Sequence, residues 1–396
     1  MKKNKKIVIA ILIILAICLC SFFIYNIFFK EEIRSVSLNM EVYSDKSLYD
    51  FTSDFDCILK DNVQFNTDTV DNYQIITHCK DSENNRFKYI VHVNVSDTTI
   101  PTIILNDYYT VTKGYKKNLI DTIISFDNYD DEPKRQIIGD YDLDVVGNYN
   151  LTYKITDSSN NSYSKDFTLK VIEPVKNSDN NSVSSYIDFS DALKNYKTDN
   201  SSLGIDVSKW QGVIDFKKVK ESGCEFVIIR IGHQDGRNGQ YIIDPYFEEN
   251  YKNALKNNLN VGVYFYSYAD SNEEAKKQAE WIVKTLNGRK LDLPIVYDWE
   301  SFSSFNSYNL SSHSFNEVAN TFFNIIVENN YEPMLYGSKN YLEKIWDTDI
   351  PYKIWLAHYT NKTNYEGNYY IWQMCSDGKI DGINGYVDID ILYKWN

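Results

Sequence analysis

Asp298 and Glu300 stand two residues apart in the segment Pro294-Ile295-Val296-Tyr297-Asp298-Trp299-Glu300. In an extended strand alternate side chains share a face, so the two carboxyls project together while Trp299 points the other way. Two carboxyls crowded on one inward face cannot both ionise freely. One pKa must rise, which yields a protonated acid beside an ionised partner, the division of labour that glycoside hydrolysis requires. Asp206 and Asp388 fall at or near the ends of two other apolar runs, 203–207 and 387–391. A single aspartate after a strand is ordinarily a turn or helix cap; this set of four acids on three strands is harder to assign to capping alone. Asp390 has the strand parity of Asp388 and is open to the same role. Tyr266, Tyr336, Trp355 and Trp372 occupy neighbouring runs, as sugar-stacking residues or as ordinary packing.

The elements that must position these residues alternate in type. Short apolar runs at 203–207, 226–231, 261–266, 294–300, 334–336, 354–357, 370–373 and 387–391 read as eight strands. The continuous run Phe226-Val227-Ile228-Ile229-Arg230-Ile231 is of the kind buried on both faces. Ser271 with Glu274 forms a capping-box pattern for a helix reaching Asn287, closed by Gly288. Ser314 with Glu317 does the same for a helix to Asn329. The expected fold of 201–396 is a compact, irregular α/β (β/α) TIM-like barrel in which several late connections lack helices. Functional residues of such barrels gather at the C-terminal ends of strands.

Four segments carry a resemblance: Gly204-Ile205-Asp206-Val207-Ser208-Lys209-Trp210-Gln211-Gly212, Phe226-Val227-Ile228-Ile229-Arg230, Asp298-Trp299-Glu300 and Gly385-Tyr386-Val387-Asp388. In this order and spacing they resemble glycoside hydrolase family 25, the lysozymes of the Chalaropsis type. The resemblance implies an N-acetylmuramidase that cleaves the β-1,4 bond between N-acetylmuramic acid and N-acetylglucosamine in peptidoglycan. It makes Glu300 the general acid, has Asp298 orient the 2-acetamido group or stabilise positive charge, and gives Asp206 and Asp388 the acidic floor. Retention through the substrate's acetamido group and inversion both remain open. Chitinase-like hydrolases place further acids upstream on the same strand face, where this chain has Val296. The rival reading is a catalytically silent wall-binding or adhesion protein that uses the barrel as a lectin; two crowded carboxyls disfavour it.

No C-x-x-C or His-rich spacing suggests a metal, and no cofactor is expected. The formal net charge of -14, from 41 basic and 55 acidic residues, argues against a nucleic-acid partner. The 33 tyrosines suit carbohydrate binding, but a general bias toward Asn, Lys, Ile and Tyr is the favoured explanation.

Ahead of the catalytic region the chain reads as several pieces. Lys2, Lys3, Lys5 and Lys6 form a cytoplasmic tail (1–6) before an apolar run, 7–29, long enough for a transmembrane helix. The run ends in Phe22, Phe23, Ile24, Tyr25 and Asn26 instead of a small-residue cleavage site, and Cys18 and Cys20 lack the small neighbour of a lipidation site. With Glu31 and Glu32 after the run, the expected placement is single-pass in the cell membrane, N-terminus inside and catalytic domain facing the cell wall. Residues 36–97 alternate β-rich runs such as 87–95 with polar turns and form a small β-rich domain. Residues 98–173 alternate in the same way, with late strands at 149–155 and 167–172, and resemble the bacterial immunoglobulin-like modules of surface proteins through the opening 97–103, the acidic turn Asp127-Asn128-Tyr129-Asp130-Asp131, and the closing hairpin from Val146-Gly147-Asn148-Tyr149 through Ser159-Asn160-Asn161. That resemblance implies a spacer or a protein-binding module, and 36–97 shares it weakly. Residues 174–200 have linker composition, with a short helix at 186–196. The expected partners are peptidoglycan glycan strands, the membrane through the N-terminal helix, and envelope proteins through the β domains. Cys57 and Cys79 could close one loop; Cys224 and Cys375 read as buried thiols.

Overall fold

The computed structural model describes residues 11, 13–22, 31–174 and 186–394. Residues 13–22 are helical, but no helix among the described residues is long and apolar enough to cross a membrane. This finding overturns the expected single-pass placement. The tail at 1–6 and the flanks of the 7–29 run lie outside the described residues, as do residues 175–185 of the linker.

The chain divides into two compact units, Met1–Thr99 and Ile100–Asn396. In the first, β1 (Glu32–Glu41), β2 (Ile58–Leu59), β3 (Asp71–Lys80) and β4 (Arg86–Ser96) form a sheet in the order β1-β4-β3-β2, with β1 parallel to β4 and the other pairs antiparallel. Period-two alternation turns Phe87, Tyr89, Val91, Val93 and Val95 to one buried face. A disulfide joins Cys57 to Cys79.

The second unit begins with β5 (Thr102–Ile104), β6 (Tyr108–Thr112), the single turn α1 (Leu119–Thr122), β7 (Ile124–Phe126), β8 (Lys134–Ile138), β9 (Gly147–Thr156) and β10 (Ser162–Ile172). A four-stranded sheet runs β6-β10-β9-β8, and β5 pairs with β7. The expected hairpin is β9–β10, whose turn is held by Asp157 Oδ1 accepting from Asn161 N at 2.8 Å. Leu151, Tyr153, Ile155, Phe167, Leu169 and Val171 are its buried face. The spacer reading is revised by the packing: Asn306, Asn309 and Ser311 of the barrel all hydrogen-bond to this β region.

After β11 (Ile187–Asp188) and α2 (Phe189–Tyr196), capped by Asp188, the barrel takes all eight expected strands. They are β12 (Ser201–Val207), β13 (Phe226–Gln234), β15 (Asn260–Ser267), β16 (Ile295–Trp299), β17 (Pro333–Ser338), β18 (Lys353–Ala357), β19 (Ile371–Lys379) and β20 (Val387–Tyr393). A short β14 (Tyr241–Ile243), which has no clear period in the sequence, forms a hairpin with β13. Neighbouring strands from β12 to β19 are parallel, but β20 is antiparallel to both β19 and β12, and it closes the ring. The sheet is therefore a closed eight-strand barrel whose one reversed strand corrects the expected irregular (β/α) TIM-like barrel, in which every strand would run parallel.

Two apolar layers hold it. Phe226, Ile228, Val296, Met334 and Ile371 fill the inside; a Cβ at Gly204 would stand 2.5 Å from the Phe226 ring, so only glycine fits there. Outside, Tyr297, Trp299 and the strands' opposite faces pack on α3 (Phe216–Glu221), α4 (Phe247–Lys256), α5 (Asn272–Leu286), α6 (Ser312–Glu328) and α7 (Lys339–Leu342). Each fully buried aromatic here contributes about 1.5–3 kcal/mol. Cys224 and Cys375 are buried free thiols. The Ser271 cap of α5 is as expected, with Asn287 in the left-handed region at φ 48°. The cap of α6 is Ser311, which accepts from Ser314 N, so that helix begins three residues earlier than the Ser314 pattern indicates.

Candidate active site

Alternation along the strands decides which side chains enter the barrel. On β16, Val296 lies inside and Tyr297 and Trp299 outside, where Trp299 Nε1 donates to Ala269 O at 3.0 Å. Asp298 follows Val296 inward and is the direct cross-strand partner of Tyr266 on β15 and Tyr336 on β17. Glu300 is the first residue past the strand end. On the reversed β20, Asp388 sits near the strand's start, which brings it to the mouth where the parallel strands end. It pairs directly with Asp206 of β12.

Asp206, Asp298, Glu300 and Asp388 line one cavity of about 240 Å³, together with Trp210, Arg230, Tyr264, Tyr266, Tyr336, Trp355, Tyr359 and Gln373. All four predicted acids therefore converge. Of the four predicted aromatics, Tyr266, Tyr336 and Trp355 line the cavity and Trp372 does not. Trp372 points outward from β19, donates through Nε1 to His358 O at 2.8 Å and meets the Tyr196 ring edge to face. Its neighbour Gln373 has the inward parity instead. Trp355 is only 2% exposed and donates to Asp390 Oδ1 at 2.9 Å, so it forms floor rather than a stacking face. Asp390 is fully buried beneath the cavity.

Arg230, Tyr264 and Gln373 were not among the candidates read from the sequence; Tyr264 shares the strand parity of Tyr266, whereas Gln373 has the parity opposite to Trp372. Gln373 Nε2 donates to Asp206 Oδ2 at 2.8 Å, while its Oε1 accepts from Tyr336 and Tyr359 hydroxyls at 2.8 and 3.1 Å. Arg230 is fixed by Asp244, whose Oδ2 accepts from Nε at 2.8 Å and forms an ion pair with the guanidinium, 2.7 Å from Nη2. Trp210, 77% exposed, and Tyr359, 57% exposed, stand at the rim. No periodicity marks them, since both lie in loops or short turns, though Trp210 falls within the first quoted motif.

Crowding and burial raise all of these carboxyls. Asp298 is pushed well up, chiefly by burial and then by the charge of Glu300, with Arg230 opposing. Glu300 is raised by the surrounding protein, and its side-chain contact with Asp298 opposes the rise. With both carboxyls raised, the pair retains a proton that separate carboxyls would lose, and Glu300, the solvent-exposed member, is the one placed to deliver it. Asp388 is raised to about 6 by burial and, less, by Glu300. Asp206 is raised by burial and by Asp388, Asp390 and Asp298. A proton donor at the mouth, backed by further acids and rimmed by aromatics, suits acid-catalysed cleavage of a glycan.

Residues 205–383 match the profile of Glycosyl hydrolases family 25. The chain is 27% identical over 193 residues to YegX of Escherichia coli, covering 48% of this chain and 68% of that one. It is 28% identical over 189 residues to the autolytic lysozyme of Clostridium acetobutylicum, covering 47% and 54%. Among solved structures, a family 25 glycosyl hydrolase from Bacillus anthracis aligns with a TM-score of 0.43 at 22% identity, over 50% of this chain and 92% of that one. Residues 205–383 are thus similar to glycosyl hydrolases of family 25, and the protein is a glycoside hydrolase of the lysozyme type.

Proposed function

We propose that the C-terminal domain cleaves the β-1,4 bond between N-acetylmuramic acid and N-acetylglucosamine, with Glu300 as general acid. The observation that carries this reading is the convergence of Asp206, Asp298, Glu300 and Asp388 on one cavity. Glu300 is the most accessible of the four, so it can reach a glycosidic oxygen and protonate it as the bond to the anomeric carbon breaks. Asp298, directly behind, steadies the substrate's acetamido group as its oxygen bonds to the anomeric carbon. Water then adds there, giving its proton to Glu300, and the configuration is retained. Asp206 and Asp388 keep the pit acidic and sustain the raised pKa values. The exposed rings of Trp210 and Tyr359, with Tyr266, offer faces for the sugars.

Digestion of purified sacculi followed by mass spectrometry tests the bond assignment, and muramic-acid reducing ends are expected. Glu300→Gln should abolish release while leaving the circular dichroism spectrum unchanged. Binding of sacculi without any turnover by the intact protein would replace this reading with the lectin one. The anomer first formed, read by NMR, separates retention from inversion.

The β region 98–173 we read as a bacterial immunoglobulin-like module, supported by its β9–β10 hairpin and its parallel β6–β10 pair.

A further inference from the structure

The segment that follows Glu300 is held from outside the barrel. Glu300 caps a 3-10 helix, Ser301–Tyr308, with Phe302 N donating to Glu300 O at 2.8 Å. On that helix Asn306, 6% exposed, commits its side-chain amide to the β region. Its Oδ1 accepts from Ser125 N at 3.0 Å, and its Nδ2 donates to Ile120 O at 3.1 Å and Ile123 O at 2.7 Å. Phe305 meets Phe126 edge to face, with centroids 5.9 Å apart. Past the helix, Asn309 Nδ2 donates to Glu132 Oε1 at 2.8 Å, Ser311 N to Asp131 Oδ1 at 2.6 Å and Ser312 N to Asp127 O at 2.8 Å. The receiving side is itself braced: Arg135 donates to both Ser125 Oγ and Ser125 O at 3.1 Å, and Tyr153 shares a hydrogen bond with Ser125 Oγ at 2.9 Å.

Loops after barrel strands are ordinarily the mobile parts of the scaffold. Here the loop that begins at Glu300 is tied at its centre and at its far end by a region more than a hundred residues upstream in sequence. We propose that the β region is a clamp that positions the general acid, and that Asn306 is the positioning residue through which it acts. The inference rests on the assignment of Glu300. Asn306 has no part in substrate contact on this account; its three bonds fix the helix whose first turn sets where the Glu300 carboxyl stands. Misplacement of a reacting group by about 1 Å can cost as much as ~100-fold in rate, even when the cause lies away from the chemistry.

The test uses the full chain and compares wild type with Asn306→Ala, Phe126→Leu and Leu169→Ala. The first two loosen the clamp from either side. Leu169, fully buried in the β region, weakens that region without touching the contact. kcat and KM on solubilised glycan strands are measured at a temperature where circular dichroism shows each protein folded. Asn306→Ala should lose roughly tenfold in kcat with KM within about twofold of wild type, Phe126→Leu should move the same way by less, and Leu169→Ala should lower Tm while keeping kcat. Unchanged kcat in Asn306→Ala overturns the proposal, as does a loss in Leu169→Ala equal to it. Should Asn306→Ala fail to fold, Phe126→Leu decides by the same two criteria. Failure of the underlying assignment is visible separately, as residual activity in Glu300→Gln.

Discussion

Asp206 and Asp388 stand directly opposite one another across the antiparallel seam that closes the barrel. Like charges in that arrangement are destabilising, and burial adds to the cost. Folded-state pKa values above the unfolded ones mean that the native state binds more protons. Stability is then greatest at low pH within this window and falls as pH rises from about 4 through the Asp388 value of about 6. Thermal melts should show wild type losing more Tm between pH 4.5 and pH 7 than Asp388→Asn, relative to each protein's value at pH 4.5. Parallel melting profiles would remove Asp388 as a source of that slope.

Gln373 links Asp206 to the Tyr336 and Tyr359 hydroxyls. Gln373→Leu leaves the buried Asp206 carboxyl and Tyr336 hydroxyl without their partner and should cost about 1–3 kcal/mol in urea unfolding. Activity should fall as well, since Asp206 loses the bond that steadies its charge. A variant with wild-type midpoint and rate would show that water replaces the amide without loss.

Trp210 presents its ring to solvent, so removal should leave the fold almost untouched, within about 0.5 kcal/mol. Trp210→Ala is expected to raise KM for glycan strands several-fold while kcat changes little. Equal KM values in the two proteins would show that the ring takes no sugar.

The Cys57–Cys79 bridge closes a loop of sequence separation 22. Cys79→Ser should destabilise the first unit by about 2–4 kcal/mol, seen as an earlier transition in a melt, and leave glycan turnover by the full chain unaltered. A loss of turnover would tie that unit to the chemistry.

Much of this was legible in the sequence because strand period and barrel interior are the same fact. Val296, Asp298 and their neighbours alternate strictly, so the acids could be assigned to one face before any coordinates. Trp372 was misplaced because a tryptophan on a strand gives no parity by itself; its neighbour Gln373, a polar residue in an apolar run, was the better clue. The reversed direction of β20 has no sequence mark, because direction depends on the length and path of the connection rather than on residue types. The start of α6 was read one turn late, since Ser311 and Ser314 are equally good caps and the choice is settled by Asp131 and Asp127 of the β region. The N-terminal run shows the reverse limit: composition proposed a span that the described helix does not reach.

The pairing of β12 with β20 joins the first and last strands of the barrel. It is a contact of long sequence separation, whose closure entropy is met only after the intervening strands are in place. A nascent chain halted before Val387 would therefore carry an open-edged sheet and no Asp388, and it would be inert toward glycan. Sealing the sheet and delivering Asp388 to the mouth are thus one event, so the acidic pit exists only where the seam has closed.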